Sequence, residues 1–185
     1  IDGDNLSFYL ESNGINGNVQ INGSVATYTP NLDFYGDDSF IYTVSDGYLT
    51  DQAEVSLSVN PVNDIPVLTF IPDQIFDEDT YQSVLILASD VESDELFYSI
   101  TDGLEINATL VENVVTFTPP LNYNGSETFT VAVGDGELAV SQSFNVIINP
   151  VNDAPIATVG LNAMTDEDQS VSVDLSGTDI DGDNL

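Results

Sequence analysis

The sequence predicts an all-β fold, built from Greek-key β-sandwiches of immunoglobulin type that are repeated in tandem. Apolar and polar residues alternate along short runs, such as residues 53–59 and 170–176, which is the pattern of a half-buried strand. Clusters of Asp, Asn, Gly and Pro separate these runs, and no amphipathic helix is indicated. Whole motifs also recur at a fixed interval, so that one structural unit is copied along the chain.

The repeat interval is 89 residues. The segment Asn-Pro-Val-Asn-Asp at positions 60–64 returns at 149–153, and Asp-Glu-Asp at 77–79 returns at 166–168. If the first of these motifs is the joint between units, three segments follow. We expect residues 1–64 to be the C-terminal part of one repeat, 65–153 a complete repeat, and 154–185 the N-terminal part of the next.

The incomplete ends have two explanations. The chain is either a piece of a longer array, or the C-terminal fragment of one copy completes the N-terminal fragment of the next by strand exchange. Within the complete unit the alternation predicts strands at 67–70, 82–88, 96–100, 109–111, 114–118, 128–133 and 140–148. Glu112-Asn113 suits a tight hairpin. Phe129, Val131 and Val133 share one strand face and are expected in the core.

The composition excludes several functions. Lys, Arg and His are absent, against 32 Asp and Glu residues, which gives a net charge of −32. Nucleic-acid binding and docking on anionic membranes both need cationic side chains, so neither is expected. The chain is nevertheless not a disordered acidic tail, because 42% of its residues are hydrophobic.

The composition also removes the side chains that most catalytic mechanisms need. Without His or Cys there is no Ser-His or Cys-His nucleophile, and zinc loses its usual ligands. A carboxylate pair for glycoside hydrolysis remains chemically possible, but the chain has no Trp and no aromatic-rich sugar cleft is indicated. The sequence therefore predicts that the protein is not an enzyme.

Acidic residues gather in short stretches at the expected strand ends. In the complete unit these are 77–79, 90–94, Asp135 and the joint at 152–153, and a fuller version of the second stretch stands at 179–183. Acids at alternate positions in a loop, with Gly for a bend, suit a hard cation that takes six to eight oxygen ligands. Asp, Asn and Gly are also ordinary turn formers, which is the alternative for any single position.

Electrostatics favours the cation for the set as a whole. Two carboxylates about 4 Å apart repel by roughly 4 kcal/mol at an effective dielectric constant of about 20. If the stretches converge, no Lys or Arg can relieve the repulsion, so that the counterion must come from solution. We therefore predict bound Ca²⁺. The candidate ligands are Asp2, Asp4, Asp46, Asn63, Asp64, Asp77, Glu78, Asp79, Asp90, Glu92, Asp94, Asp135, Asn152, Asp153, Asp166, Glu167, Asp168, Asp179, Asp181 and Asp183.

The same motifs carry a family resemblance that covers the whole chain. The joint at 61–66, Asp-Glu-Asp-Thr at 77–80, Ile-Asp-Gly-Asp-Asn-Leu at 180–185 and the segment 28–47 together resemble the bacterial cadherin-like tandem repeats of large secreted adhesins. The resemblance implies immunoglobulin-like sandwiches joined end to end, with calcium at the joints. Glu92-Ser93 departs from the usual Asp-Gly, which implies weaker binding at the first joint.

These observations predict a calcium-stiffened extender or adhesion repeat of a long secreted or cell-surface bacterial protein. Its expected partners are neighbouring repeats of the same chain, and beyond them identical chains or a cell-surface or glycan target. Two alternatives remain open at this point. One is an extracellular filament subunit that self-assembles by strand exchange or homotypic contacts, and the other is a carbohydrate-binding appendage of a secreted glycosidase.

Overall fold

A computed structural model describes residues 5–181 of the chain, which form strands and connecting loops. The strands are β1 (Ser7–Ser12), β2 (Gly17–Asn22), β3 (Val25–Pro30), β4 (Gly36–Ser45), β5 (Thr50–Val59), β6 (Val67–Leu68), β7 (Gln74–Asp77), β8 (Gln82–Leu85), β9 (Ala88–Ser89), β10 (Phe97–Ile100), β11 (Asn107–Val111), β12 (Val114–Thr118), β13 (Gly125–Gly134), β14 (Ala139–Asn149), β15 (Ile156–Ala157) and β16 (Gly177–Thr178). Across these described residues, no helix is long and apolar enough to cross a membrane. The predicted all-β fold is confirmed.

The chain divides into two compact units. Unit 1 comprises the residues up to Asp64 together with Asp90–Asp94, and unit 2 comprises Ile65–Ser89 and the residues from Glu95 onward. The loop at Asp90–Asp94 thus belongs to unit 1, although the strands on either side of it, β9 and β10, belong to unit 2.

Unit 2 contains two main sheets. One has the strand order β10-β13-β14-β7, and the other has the order β11-β12-β8, while β6 and β9 form a short additional pair. All of these pairs are antiparallel except β7 with β14, which is parallel. The predicted hairpin at Glu112-Asn113 forms between β11 and β12, with Glu112 at a φ of 55°.

The core of unit 2 lies between the apolar faces of its strands. Phe117, Phe129 and Phe144 form an aromatic cluster, in which the ring centroids of Phe117 and Phe129 are 4.9 Å apart and those of Phe117 and Phe144 are 6.0 Å apart. The expectation for β13 is confirmed, since Phe129, Val131 and Val133 are at most 1% exposed. Burial of several large apolar side chains stabilises this unit, at about 1.5–3 kcal/mol for each.

Unit 1 repeats the second part of this arrangement. Its strands form a sheet of order β1-β4-β5 and a pair β2-β3. These five strands correspond to β10–β14 of unit 2, 89 residues earlier in the chain. In unit 1, β5 and β3 are therefore edge strands, whereas their counterparts β14 and β12 each have a further partner, β7 and β8.

Two sequence-based strand assignments need correction. The alternating run at residues 170–176 does not form a strand, although its counterpart 89 residues earlier, at 81–87, contains β8. The reason is tertiary: β8 pairs with β12, whereas among residues 5–181 no strand pairs with residues 170–176. Conversely, β7 is not predicted, because Ile75 and Phe76 are adjacent apolar residues and the segment shows no alternation.

Candidate functional site

The acidic motif at 77–79 fastens the chain segment that follows β14. The backbone N–H of Glu78 donates to the carbonyl of Asn149 at 3.0 Å, and the Glu78 Oε1 accepts from the N–H of Val151 at 2.6 Å. The Glu78 side chain is only 4% exposed. Asp77 Oδ1 accepts from the Asn149 amide at 3.2 Å. Glu78 is therefore a buried carboxylate that holds the Asn152-Asp153 linker beside the turn after β7.

Asp79 connects this turn to the loop between β12 and β13. Its backbone is left-handed, with a φ of 61°, and its Oδ1 accepts from the N–H of Asn122 at 2.8 Å. With its amide nitrogen facing the acids, as the hydrogen-bond network requires, Asn122 donates to Asp153 Oδ2 at 3.1 Å and to Asp79 Oδ2 at 3.3 Å. One amide thus bridges the carboxylates of Asp79 and Asp153.

The linker carboxylate also meets the loop that follows β16. The N–H of Asp153 donates to Asp181 Oδ2 at 2.6 Å, and the N–H of Asp181 donates to Asp179 Oδ1 at 3.0 Å. The Asn152 amide donates to the carbonyl of Asp153 at 2.9 Å. The predicted ligands Asn152, Asp153, Asp179 and Asp181 are therefore brought together with the 77–79 motif.

The charge at this site is uncompensated. Loss of hydration raises the pKa of Asp153, and repulsion from Asp181, Asp79, Glu78 and Asp179 raises it further. Repulsion from four neighbours shows that these carboxylates share one electrostatic environment. No cationic side chain can offset it, because the sequence contains no Lys, Arg or His. The site favours either a proton or an external cation.

Unit 1 has a related arrangement at its own linker. The N–H of Asp64 donates to Glu92 Oε2 at 3.1 Å, as the N–H of Asp153 donates to Asp181. Asp90 Oδ1 accepts from the N–H groups of Glu92 and Asp94, at 3.0 and 3.2 Å. Asp90 Oδ2 is buried and has no hydrogen-bond partner. A buried carboxylate oxygen without a donor is an available cation ligand.

The unit 1 linker also borders an open cleft of about 340 Å³, lined in part by Asp33, Asp64 and Glu92. Asp33 stands 89 residues before Asn122 and shares its left-handed backbone, with φ values of 58° and 55°. The Asn63 amide donates to the carbonyl of Asp64 at 3.4 Å, as Asn152 does to Asp153. Both linkers thus combine an Asn-Asp pair with a left-handed residue from the same loop.

Two predicted ligands lie elsewhere, in the hairpins that follow β4 and β13. Asp46 Oδ1 accepts from the N–H groups of Tyr48 and Leu49, both at 2.7 Å, and hydrogen bonds from Leu49 and Tyr48 lower the pKa of Asp46. Asp135 makes the same contacts with Glu137 and Leu138. Because β13 has ten residues, about 3.3 Å each, Asp135 is roughly 30 Å from the Asn122 end of that strand. The acidic stretches of unit 2 therefore do not all converge.

The remaining predicted ligands are not gathered with this cluster. Asp166, Glu167 and Asp168 lie in an exposed turn, where the N–H of Gln169 donates to the carbonyl of Asp166 at 3.2 Å. Their counterparts at 77–79 are positioned by β14, whereas among residues 5–181 no strand plays that part for residues 166–168. Asp2, Asp4 and Asp183 lie outside the described residues.

The candidate ligands are oxygen donors, which suit a hard cation, but their side chains are not arranged around one point. All of the converging groups offer oxygen, as Ca²⁺ prefers. Between residues 5 and 181, no three acidic side chains are drawn together in the geometry of a metal site. The orphaned Asp90 oxygen and the mutual repulsion at Asp153 indicate where a cation would be accepted.

Sequence reasoning missed Asn122 and its counterpart Asp33. Both lie in the loop that follows the Thr-Pro motif, and the signal available was their position within a repeated segment, at 29–33 and 118–122. From the sequence alone, an isolated Asn or Asp in a loop is interpreted as a turn former. Only the approach of this loop to Asp79 and Asp153 distinguishes Asn122 from other turn residues.

Comparisons with known proteins agree with this architecture. The described fold is similar to the cadherin domains of protocadherin gamma B7, with a TM-score of 0.56 and 17% identity, covering 94% of this chain and 49% of that one. It is also similar to human protocadherin-24 EC1-2, with a TM-score of 0.55 and 15% identity, covering 80% of this chain and 84% of that one. At these identities the likeness shows the fold alone.

Sequence comparison finds a bacterial relative. The chain is 33% identical over 99 residues to chitinase A from Pseudoalteromonas piscicida, which covers 51% of this chain and 12% of the length of that relative. The family model of the bacterial Ig domain matches residues 1–58 and 63–148, which is well over half of the chain. The cadherin-like resemblance predicted from the repeat motifs is confirmed, and the chain belongs to the bacterial Ig domain family.

Proposed function

We propose that the chain is a non-catalytic, calcium-stiffened extender or adhesion module of a secreted or surface bacterial protein. The observation that carries this proposal is the meeting of Asp153 with Asp79, Glu78, Asp179 and Asp181 in a chain without a single cationic side chain. Membership of the bacterial Ig domain family and the similarity to a bacterial chitinase support an extracellular location.

The residues at the second linker, Asn152-Asp153, and in the loops around it would have different roles in binding an ion. Asp153, Asp181 and Asp79 would hold the ion, with Asn152 and Asp179 close enough to contribute further oxygens. Glu78 positions the linker through Val151, and Asn122 keeps Asp79 and Asp153 adjacent. A bound Ca²⁺ supplies the positive charge that the chain lacks and accepts six to eight oxygens. Tying the linker to both loops would restrict its motion.

The first linker, Asn63-Asp64, has a similar set of candidate ligands, from which we expect weaker binding. Asp64, Asp90 and Glu92 would be its ligands, with Asp33 replacing the neutral Asn122. Ser93 has a φ of 66°, a conformation that favours glycine, and Gly182 stands at the corresponding position of the second linker. Residual strain at Ser93 is a reason to expect weaker binding at the first linker.

Calcium removal tests the proposal. A ligand that binds only the folded state stabilises it by about 2.7 kcal/mol when present at about 100 times its dissociation constant. For a chain of this size, that corresponds to a rise of roughly 5–10 °C in melting temperature for one site. We expect this rise on adding CaCl₂, reversed by a chelator, together with a change in hydrodynamic radius. Equal melting curves with calcium and with chelator would show that the calcium proposal is wrong.

Asp153→Asn distinguishes a cation site from ordinary turn chemistry. Because the pKa of Asp153 is raised, ionisation of this carboxyl opposes folding, and its cost grows as the pH rises through that pKa. The substitution should therefore stabilise the calcium-free protein at neutral pH and at the same time abolish most of the gain from calcium.

Glu137→Gln is the matched control for Asp153→Asn. It removes one negative charge from an exposed position in the hairpin after β13, far from the linker. Its calcium response should equal that of the original protein. If both variants change the response equally, the effect belongs to net charge and not to the linker site.

The chitinase relative favours a second candidate function, a carbohydrate-binding appendage of a secreted glycosidase. The two functions are compatible, since a stiff spacer can stand between a catalytic domain and its substrate. Sedimentation with insoluble chitin tests the binding function directly. Retention on chitin, reduced by soluble chitin oligosaccharides, would support the appendage, whereas complete recovery in the supernatant would leave only the spacer.

A further inference from the structure

Four Asn-Gly pairs in the chain are candidates for a covalent self-modification. They are Asn13-Gly14, Asn16-Gly17, Asn22-Gly23 and Asn124-Gly125. In such a pair the backbone nitrogen of Gly can attack the side-chain amide carbon of Asn, and because Gly has no Cβ, it obstructs the approach less than any other residue. Asn is accordingly among the thermally labile residues. Which pair reacts in the folded protein depends on how freely the two groups can meet.

Hydrogen bonds restrain the first two pairs. The Asn13 side chain is held at both ends, since its Oδ1 accepts from the N–H of Val19 at 2.7 Å and its amide donates to Asn18 at 3.1 Å. The backbone N–H of Asn16 donates to Asp38 Oδ2 at 2.9 Å. Neither Asn can turn toward the Gly that follows it unless these hydrogen bonds break.

The pair Asn124-Gly125 is restrained by its place in a sheet. Gly125 is the first residue of β13 and lies opposite Ile148 of β14. A Cβ added at Gly125 would lie 2.9 Å from the Tyr123 hydroxyl, so that this tyrosine occupies the space beside the glycine. Rotation of the Gly125 backbone toward the Asn124 side chain is therefore opposed by strand pairing and by the tyrosine.

The pair Asn22-Gly23 has none of these restraints. Asn22 is the exposed last residue of β2, and Gly23 begins the two-residue turn to β3, with a φ of 62°. Between residues 5 and 181, no hydrogen bond involves the Asn22 side chain. Apart from its chain neighbours, no atom lies within 4 Å of a Cβ added at Gly23. Water therefore reaches the pair, and the Asn22 side chain can turn toward the Gly23 nitrogen.

The equivalent hairpin of unit 2 shows that this exposure belongs to the hairpin itself. Val111 and Glu112 stand 89 residues after Asn22 and Gly23, and Glu112 has the same left-handed backbone, with a φ of 55°. Val111 is 70% exposed although β8 pairs with the neighbouring strand β12. Because this hairpin of unit 2 contains no Asn-Gly pair, it lacks the reactive groups that unit 1 presents.

We propose that Asn22 is a site of spontaneous deamidation in the folded unit 1. The Gly23 nitrogen loses its proton to water and forms a bond to the Asn22 Cγ, the Cγ–Nδ2 bond breaks, and the departing nitrogen takes up a proton and leaves as ammonia. Water then opens the resulting succinimide at one of its two carbonyls, which yields aspartate or isoaspartate. The reaction needs no oxidant, cofactor or second protein.

The product alters the β2-β3 hairpin. Isoaspartate carries one extra carbon in the main chain directly before the turn, at the residue that pairs with Val25. Since a two-residue turn fixes the register of its hairpin, this insertion opposes the pairing of β2 with β3. Either product also adds a negative charge that no Lys, Arg or His of the chain can offset. We therefore expect unit 1 to lose stability as the protein ages.

Peptide mapping of the full chain measures the reaction. The folded protein is incubated at mildly alkaline pH, where the Gly nitrogen loses its proton more readily, and is then digested with pepsin, because the chain offers trypsin no Lys or Arg. Mass spectrometry with fragmentation gives the rate at each Asn-Gly pair. We expect Asn22 to deamidate at least about tenfold faster than the other three Asn residues, a ratio that corresponds to about 1.4 kcal/mol of activation free energy.

Two controls separate the effect of the fold from that of the local sequence. In denaturant the restraints on the other three pairs are lost, so that the four rates should converge. In Asn22→Gln, whose longer side chain closes a less favourable ring, the reaction at position 22 should disappear, whereas Asn124→Gln should leave it unchanged. Hydrogen exchange should increase in β2 and β3 of the aged protein, but not in aged Asn22→Gln.

Three results would overturn the proposal. One is a folded protein in which Asn22 reacts no faster than the other three Asn residues. Another is a lead of Asn22 that persists undiminished in denaturant, because the preference then belongs to the local sequence and not to the fold. A third is isoaspartate at position 22 with unchanged hydrogen exchange in β2 and β3, which would show that the hairpin accommodates the extra carbon without cost.

Discussion

Strands β1 to β5 of unit 1 have the same order as strands β10 to β14 of unit 2, but the apolar side chains on their inner faces are less buried in unit 1. Phe129, Val131 and Phe144 are at most 3% exposed in unit 2. Their counterparts in unit 1 are Phe40, which is 4% exposed, and Tyr42 and Val55, which are only partly buried. An apolar strand face thus acquires a complete core only when the neighbouring strands β7 and β8 cover it.

Hairpin formation and core packing depend on different parts of the chain. Both copies alternate correctly, and both form their hairpins in the same register, so that local sequence suffices for β4-β5 and for β13-β14. The difference arises from β7 and β8, which cover β14 and β12 in unit 2 and have no counterpart in unit 1 among residues 5–181. Matched substitutions at positions 89 residues apart can therefore measure what those strands contribute.

The largest difference should come from the shared phenylalanine of the central strand. Phe129→Ala removes a ring that packs on Phe117, and it should destabilise unit 2 by about 3–5 kcal/mol. Phe40→Ala should cost clearly less, because Phe40 borders an open cleft and leaves a smaller enclosed cavity. Hydrogen exchange followed by mass spectrometry assigns each loss to its unit. Equal losses would contradict the view that unit 1 is incompletely packed.

An intermediate effect on stability is expected from a carboxylate that accepts hydrogen bonds from a loop backbone, a feature found in both units. Glu127 accepts hydrogen bonds from the N–H groups of Leu104, Glu105 and Ile106, at 2.7 to 3.1 Å. Glu127→Ala should cost about 1–3 kcal/mol, as is typical when charged hydrogen bonds are lost. Denaturant unfolding measures the change, and Glu137→Gln serves as the control. A loss no larger than that of the control would mean that water replaces the carboxylate without cost.

Asp38 makes the equivalent contacts in unit 1, and they affect how the stability of the protein depends on pH. It accepts from Ile15, Asn16 and the Tyr28 hydroxyl, at 3.1, 2.9 and 2.7 Å. Partial loss of hydration opposes ionisation, but these hydrogen bonds prevail and hold the pKa of Asp38 below its ordinary value of 3.8. Loss of hydration, together with the hydrogen bond to Asp38 and its negative charge, raises the pKa of Tyr28 to about 12.

The stabilisation from Asp38 should therefore be complete above the ordinary carboxyl pKa and fade as the pH falls through its lowered folded-state pKa. Asp153 has the opposite sign in the calcium-free protein, since its pKa is raised. Acid titration of Asp38→Asn should show a flatter loss of stability than the original protein, whereas Asp153→Asn should show a steeper one. Parallel curves for the two variants would contradict these assignments.

The smallest effect is expected at the β11-β12 turn. Glu112 has a φ of 55°, and its counterpart in unit 1 is Gly23, with a φ of 62°. Glu112→Gly relieves a left-handed side chain, and because glycine also loses more entropy on folding, the net gain should be below about 1 kcal/mol. Gly23→Glu should lower the stability of unit 1 by a similar amount. Melting curves that move in the same direction for both variants would show that neither turn is limiting.

The sequence by itself determined the period of 89 residues, the strand alternation and the absence of any cationic side chain. These features predicted the fold class, most strands, the core positions of β13 and the acidic character of the linkers. Each depends on composition or on neighbours within a few residues, and for that reason each could be predicted without coordinates.

Only the tertiary structure decided which acids meet. It joins Asp153 to Asp79, Asp181 and the overlooked Asn122, and it leaves Asp135 at the far end of β13 and Asp166 in an exposed turn. Identical motifs at 77–79 and 166–168 therefore have different surroundings. The physical reason is that a strand is positioned by its hydrogen-bonded partner, and among residues 5–181 such a partner, β14, lies beside the first motif only.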